Sequence, residues 1–227
     1  MFDTILLLAE RTEQDAFRPL LRTHNPSLSI ICLTTADELQ SLGMALLSRS
    51  RLIGFATPTI VPARVLSGLG YGAYNFHPGP PTYPGWAPAH FALYEGATEF
   101  GTTVHVMADR VDTGAIFDTR FFPIVDETTV IDLEKLAYSC LVQQFREWAY
   151  LLANQPTPLT PRRPATWSGR KSSRRIYQAL CNIPLDISEE DLRRRMRAFG
   201  SNHFGVVPSI TLHGFEFKAT SPSAEVD

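Results

Sequence analysis

RLIGFATPTIVPARVLSGLGYGAYNFH, residues 51–77, reads as one strand–helix–strand unit. Arg51–Ala56 is a short apolar run of strand length, Pro62–Leu69 has helical spacing of Val and Leu, and Ala73–His77 is rich in β-formers. Two strands that are apolar on both faces and joined by a crossover helix belong to a parallel sheet, where helices cover each side. Upstream, Thr4–Ala9 (TILLLA) and Leu28–Leu33 (LSIICL) extend the series of buried strands, with helices expected over Glu13–Thr23 and Ala36–Ser48. The expected class is α/β, a doubly wound, Rossmann-like and mostly parallel sheet.

Downstream the pattern changes. Thr102–Met107 and Ala115–Ile124 read as strands joined by a short loop, Ala108–Gly114. Thr129–Ala153 reads as a long amphipathic helix, with Leu133, Leu136, Ala137, Cys140, Leu141, Phe145 and Trp148 on one stripe. Pro156, Pro158, Pro161 and Pro164 then crowd one stretch; proline fixes φ and removes a donor, so a semi-rigid linker is expected over residues 154–171. Beyond it, helices are expected over Ser172–Asn182 and Ser188–Phe199, and a hairpin from Val206–Leu212 and Phe215–Ala219 across His213-Gly214. The expected organisation is a catalytic domain over 1–153, the linker, and a small module over 172–220 that is too short for a confident core of its own.

The bulk properties exclude several classes. The chain has 227 residues, 44% hydrophobic and 19% charged, with net charge −2, and its pI is about 6.3. That balance does not call for a nucleic acid or an anionic membrane as the main partner. Cys32, Cys140 and Cys181 are odd in number and widely spaced, so neither a disulfide framework nor a zinc site is expected; reduced, mostly buried thiols are. The N-terminus lacks the basic start and long apolar run of a signal peptide, and no stretch reaches the length of a membrane span. A cytoplasmic, soluble protein is expected.

The stretch that carries chemistry is Tyr74–Phe117. On a strand, Asn75 and His77 project to the same side, and Pro78, Gly79, Pro80 and Pro81 end the strand at once. An amide and an imidazole therefore stand together at the carboxyl end of a sheet strand, where open α/β sheets bind ligands. Asp112-Thr113-Gly114 closes the following loop, and Gly114 is expected to permit a turn that aims the Asp112 carboxylate at the first strand. Acyl transfer to an amine needs a donor for the developing oxyanion, a base for the amine proton, and a carboxylate to orient and stabilise the imidazole. Asn75, His77 and Asp112 can supply these without a metal.

Four linked motifs resemble the formyltransferases that use 10-formyltetrahydrofolate: Asn75-Phe76-His77-Pro78, the proline- and glycine-bearing loop to Gly85, Gly101-Thr102-Thr103-Val104-His105, and Asp112-Thr113-Gly114. The family includes glycinamide ribonucleotide, methionyl-tRNA and sugar N-formyltransferases. The resemblance implies that His77 and Asp112 share acid–base work while Asn75 stabilises the formyl oxygen. It also implies 10-formyltetrahydrofolate as formyl donor, its pterin lying against the backbone of two segments that include Phe55, Ala56, Thr57, Thr59 and Val106, Ala108, Asp109, Val111. Tyr83 and Trp86, on the loop beside the site, are candidate stacking surfaces for the substrate, or loop aromatics that pack locally; His105 reads as an ordinary half-buried strand histidine, and His24 and His90 as helix-surface residues.

Two departures bear on the substrate. The loop PGPPTYPGW (residues 78–86) is shorter than the family's usual form and lacks its Leu-Leu, and the N-terminus has no glycine-rich phosphate loop of the kind a glycinamide ribonucleotide enzyme uses. The module with Arg197-Ala198-Phe199 and its hairpin resembles the region after the catalytic domain of sugar N-formyltransferases, where such an appendage commonly contributes to a homodimer. Arg162–Arg175 is basic and free of acidic residues, and reads as a solvated linker or as a phosphate contact; a tRNA footprint would need a broader basic surface. The leading expectation is N-formylation of a small amine, an amino sugar on a nucleotide carrier. Methionyl-tRNA formylation, hydrolysis of the formylfolate and non-catalytic folate binding are the alternatives.

Overall fold

The computed structural model describes residues 1–157, 159 and 165–220. The elements follow in the order β1 (Thr4–Leu8), α1 (Arg11–His24), β2 (Ser29–Leu33), α2 (Ala36–Gln40), α3 (Met44–Leu47), β3 (Ser50–Phe55), α4 (Ala63–Gly68) and β4 (Ala73–His77). Then come α5 (Pro88–Tyr94), β5 (Glu99–Val106), β6 (Ile116–Pro123) and the long α6 (Val130–Asn154). The chain continues through α7 (Arg174–Cys181), α8 (Glu189–Phe199) and the hairpin β7 (Ser209–Leu212) and β8 (Phe215–Lys218). Six strands form one sheet in the order β2-β1-β3-β4-β5-β6. The pairs β1–β2, β1–β3 and β3–β4 are parallel, whereas β4–β5 and β5–β6 are antiparallel.

Alternation along β1 builds both layers. Ile5 and Leu7 face Phe17 and Leu21 of α1 and Leu141, Phe145, Trp148 and Leu152 of α6. Leu6 and Leu8 face the opposite layer of Leu39, Leu47 and Val65 from α2, α3 and α4. The single helix expected over Ala36–Ser48 is two short ones. Thr35 closes a capping box with Glu38 at the start of α2, the Ser41 hydroxyl bonds back to the Glu38 carbonyl at 2.7 Å, and Gly43 stands at the N-cap of α3. Serine competing for backbone carbonyls and a glycine close behind it end a helix that apolar spacing alone would continue.

Two buried polar groups fasten α6 to the sheet. Asp118 of β6 accepts the Trp148 indole N–H at 3.2 Å and the Gln144 amide at 3.3 Å, and Gln144 in turn accepts the Thr102 hydroxyl at 2.5 Å. Arg51, at the start of β3, is fully buried. Its guanidinium donates to the carbonyls of Leu152 (2.6 Å), Gln155 (2.6 Å), Leu151 and Thr157 at the C-terminal end of α6, and to Tyr71 (3.1 Å). The last carbonyls of a helix have no partner of their own and carry partial negative charge, so a forked cation fits there. Burial pushes the Arg51 guanidinium down to about 10, which leaves it charged at neutral pH.

The C-terminal elements pack on the catalytic half. Tyr177 and Cys181 of α7 and Ala198 and Phe199 of α8 share a core with Phe91 of α5, Phe100 of β5 and Val130 and Leu133 of α6. His90 lies inside that core, against Tyr177 at 5.2 Å and Phe204 at 5.2 Å, and is fully buried rather than on a helix surface as expected. Burial and the neighbouring His203 push its imidazole down to about 4, so it packs as a neutral ring. His24 is half-buried. All three cysteines are free thiols, as expected; Cys181 is buried, and Cys32 and Cys140 are half-buried where mostly buried thiols were expected. Within the proline-rich stretch Leu159 is buried in the first core, its N–H on the Tyr74 hydroxyl at 3.1 Å. Pro158, Pro161, Pro164, Arg162 and Arg163 lie outside the described residues. No helix among the described residues is long and apolar enough to cross a membrane.

Replacing Arg51 by Met keeps the apolar stem but leaves buried carbonyls without donors. Arg51→Met is expected to lower the unfolding free energy by about 3 kcal/mol in a urea titration. A loss within about 0.5 kcal/mol, the range of an ordinary surface change, would remove the capping role.

Candidate active site

β4 runs between a parallel and an antiparallel neighbour, and that position assembles the site. Asn75 is paired with Gly54 of β3 on one side and with His105 of β5 on the other, and His77 is paired with Thr103. Directly opposed residues in an antiparallel pair have touching side chains. The Asn75 amide nitrogen accordingly lies 3.2 Å from His105 Nε2. The chain then crosses from β5 to β6 through the loop that carries Asp112. The Asp112 carboxylate returns to the strand end with one oxygen 3.2 Å from His105 Nε2 and the other 3.8 Å from His77 Nδ1. Asn75 thus reaches Asp112 through His105 rather than directly.

The loop geometry differs from the expected glycine turn. The residue in the left-handed region is Asp112 itself, at φ 52°, a conformation that aspartate tolerates better than most side chains. Gly114 is needed for close approach instead: a Cβ there would stand 2.0 Å from the Val106 carbonyl oxygen. Gly85 supplies the remaining bond to the carboxylate, its N–H donating to Asp112 at 2.7 Å. With φ at 98°, and only 2.3 Å between a built Cβ and the Ser172 carbonyl oxygen, Gly85 admits no side chain.

Electrostatics follow from burial. His77, His105 and Asp112 are 6%, 2% and 5% exposed. Burial alone would raise Asp112, but the His77 charge, the His105 hydrogen bond and charge, and the Gly85 N–H outweigh it and hold the carboxyl well below the usual carboxylate range. His77 is lowered, chiefly by burial and further by His105, with Asp112 and the Tyr83 carbonyl working against the shift. At neutral pH the centre therefore holds a carboxylate beside a neutral imidazole. The two nitrogens of His77 both face acceptors, Asp112 at 3.8 Å and the Tyr83 carbonyl at 3.4 Å. The neutral ring satisfies one of them and the protonated ring both.

His105 is a site residue that sequence reasoning misses: instead of an ordinary half-buried strand histidine it is buried between Asn75 and Asp112, both of which approach its Nε2, an atom that accepts from the amide when bare and donates to the carboxylate when protonated. The signal is present in the sequence, since pairing the Gly101–His105 strand against Ala73–His77 brings residues 75 and 105 face to face. Its Nδ1 lies 2.8 Å from the Val106 carbonyl, which can only accept, so Nδ1 carries a proton. Tyr83 and Trp86 are half-buried and pack against the second core. The Trp86 ring packs on Phe204 at 4.3 Å and Tyr177 at 4.9 Å, and the Tyr83 ring lies 6.5 Å from that of Phe100. Their apolar rings are drawn into the second core, and it is the loop backbone, through Tyr83 O and Gly85 N, that meets His77 and Asp112.

The segments expected to receive the pterin frame Asn75. The Phe55 side chain is core, edge-on to Phe17 at 4.8 Å, and the Ala56 N–H is spent on the Phe76 carbonyl at 2.9 Å. Thr57 and Thr59 are half-buried and linked, Thr59 N–H donating to the Thr57 hydroxyl oxygen at 3.2 Å. Val106 is half-buried, its N–H on the Ala115 carbonyl at 2.9 Å, and Ala108, Asp109 and Val111 lie on the loop before Asp112. The Asn75 side-chain oxygen is buried with no partner, next to Gly54, Thr57 and the Met107 methyl. A separate groove of about 680 Å³ between β6 and α6, lined by Arg120, Phe121, Leu136 and Cys140, carries no imidazole or carboxylate. Among the described residues no group of three or more His, Cys, Asp or Glu side chains is placed to hold a metal ion.

Residues 53–140, which carry Asn75, His77, His105 and Asp112, match the family model described as formyl transferase. The chain is similar to formyltransferases in both sequence and structure. Methionyl-tRNA formyltransferase of Listeria monocytogenes serotype 4a is 38% identical over 96 residues, 42% of this chain and 30% of that one, so the chain spans under a third of the length of the curated relatives it matches. A sugar N-formyltransferase from Shewanella superposes with a TM-score of 0.77 at 18% identity, over 96% of this chain and 97% of that one. An N-formyltransferase from Helicobacter canadensis, solved with folinic acid and dTDP-3-aminofucose, gives 0.67 at 15% identity, over 94% and 85%. At these identities the structural likeness is one of fold.

Long-range proton–nitrogen NMR is expected to show the His105 Nδ1 proton at neutral pH. A His105 ring protonated only at Nε2 would reverse its orientation and the network drawn from it.

Proposed function

We propose that the protein transfers a formyl group from 10-formyltetrahydrofolate to the primary amine of a small substrate, an amino sugar carried on a nucleotide. The observation that carries this reading is a buried carboxylate shared by two histidines, with the Asn75 amide on the second of them and a partnerless Asn75 oxygen beside the loop after β3. The residues present fit a folate. An orphaned buried acceptor favours a ligand that brings a donor, and the loop after β3 and the loop before Asp112 turn Ile60 and Val111 to solvent, apolar contacts suited to a flat ring.

When bound, the donor supplies an electrophilic formyl carbon. The second N–H of the Asn75 amide, the one not directed at His105, donates to the formyl oxygen as charge builds on it in the attack by the amine. His77, neutral at the outset, takes the proton that the amine nitrogen loses. The resulting imidazolium is held between the Asp112 carboxylate and the Tyr83 carbonyl, the two acceptors already in place, and gives the proton to the departing nitrogen. Asp112 stays ionised throughout. His105 and the Gly85 N–H hold it in position.

The amino-sugar preference is supported by closeness of fold: the Shewanella sugar enzyme superposes with a TM-score of 0.77 over 96% of this chain, against 0.62 over 97% for a methionyl-tRNA formyltransferase from Clostridium thermocellum. Exposed Phe215 and Phe217 on the hairpin suit a homodimer.

The test is tetrahydrofolate release from 10-formyltetrahydrofolate with nucleotide-linked amino sugars, with methionyl-tRNA and with no acceptor. Release only with an amino sugar is expected. Turnover only with the tRNA or without acceptor would replace the substrate assignment, and none would remove the function. His77→Ala and Asp112→Asn should each lower kcat by about a hundredfold to ten-thousandfold with the fold intact, and Asn75→Ala by about a hundredfold to a thousandfold. Unchanged kcat in His77→Ala would end the proposed mechanism.

The pH profile has a defined sign. His77 must be neutral to accept the proton, and its value lies below 6.5, so kcat should be level through neutral pH and fall only in acid as the ring becomes charged in advance. An acid limb centred above 6.5 would contradict the assignment.

A further inference from the structure

Trp167 follows the proline-rich stretch in sequence, yet in space it sits on the reaction centre. Its indole N–H donates to the Gly114 carbonyl at 2.8 Å. Its ring meets His105 edge-on at 5.0 Å and His77 at 6.1 Å. The segment behind it is bonded to the loop that contacts the trio. Ser168 N–H donates to the Pro81 carbonyl at 3.0 Å and the Ser168 hydroxyl to the Thr82 carbonyl at 3.0 Å, Ser172 N–H donates to the Pro84 carbonyl at 3.0 Å, and Trp86 N–H donates to the Ser172 carbonyl at 3.3 Å. The indole is thus carried in by a strap that pairs with residues 81–86, where Gly85 and Ser172 form an isolated parallel bridge.

With Trp167 in place the reacting groups are closed off: His77, His105 and Asp112 are each no more than 6% exposed. A formyl carbon and an amine must both come within about 3–3.5 Å of the groups that act on them, so some part of the enclosure has to yield. β4 and β5 are central in the sheet and cannot. The loop 78–86 is tied to Asp112 through Gly85 and packed at Gly79 against His77 and Pro88, where a Cβ would stand 2.7 Å from each. The indole is half-buried and is held by one hydrogen bond and ring-edge contacts. It is the part of the wall with least to lose.

We propose that Trp167 is the gate of the reaction centre: its indole shields His77 and His105 in the resting protein, and substrates reach them when it withdraws. This rests on the reading of the trio as the reaction centre, but its test needs no turnover. Diethyl pyrocarbonate acylates neutral imidazoles that it can reach, and the rate at each histidine is read by peptide mass spectrometry on the full chain. His213, which is exposed, reports the reagent, and His90, buried in the second core away from Trp167, reports the integrity of the fold. In Trp167→Ala, His77 and His105 should label about tenfold faster than in the unmutated protein, as expected when a local barrier is removed, with His90 unchanged.

Equal rates at His77 and His105 would overturn the inference. If His90 also becomes reactive, the substitution has loosened the fold, and Trp167→Leu takes its place: faster labelling of His77 and His105 with His90 unchanged supports the gate, and equal rates overturn it. Formyl transfer measured on the same samples separates the two claims. A labelling contrast without turnover in the unmutated protein keeps the gate and removes the proposed function. Turnover without a contrast keeps the function and removes the gate.

Discussion

A carboxylate taken out of water must be compensated, and the architecture around Asp112 is arranged to do so. Each of its oxygens is met by elements far apart in sequence: an imidazole from β5 on one, an imidazole from β4 and a loop amide on the other. An unpaired buried charge costs several kcal/mol, so every one of these elements is bound to its place by the same requirement. The loop after β4 cannot drift without uncovering the carboxylate. The left-handed backbone of Asp112 is a local strain that the surrounding bonds hold. A centre built this way is preorganised, because charge and dipoles are in position before any substrate arrives.

The change of strand direction at β4 makes this possible. The chain leaves β4 through a long connection that carries α5 before it rejoins the sheet at β5. Here β5 returns antiparallel, so His105 lies directly beside Asn75 and the short loop beyond β5 carries Asp112 to the carboxyl end of β4. The sheet's parallel half supplies the ligand-binding edge and its antiparallel half supplies the groups that act there.

Much of this is legible in the chain. The strand bounds Ala73–His77 follow from the run of β-formers stopped by Pro78-Gly79-Pro80-Pro81, and β1, β2 and β3 fall within a residue of their apolar runs. These are periodic signals confined to single elements. What escapes depends on contacts between elements. His105 looks like any strand histidine until its cross-strand partner is known. Tyr83 and Trp86 look like exposed loop aromatics until α7 and the residues after α8 supply a core for them. Gly114 reads as a turn glycine, while the constraint on it is a carbonyl from β5. Trp167 carries no local pattern at all; only the pairing of residues 168–172 with the loop brings it to the trio.

Arg51 has a consequence for the order of events during synthesis. Its strand leaves the ribosome early, but the carbonyls it binds belong to Leu151, Leu152, Gln155 and Thr157. Until those residues emerge, a guanidinium destined for the interior has only the Tyr71 carbonyl and water for partners, and β3 cannot be sealed beneath it without burying an under-compensated charge. Strand β3 is therefore expected to seal fully only once the end of the long helix has arrived. A residue that reads as a stray charge on an apolar strand works as a checkpoint, tying completion of the first half of the domain to delivery of the second.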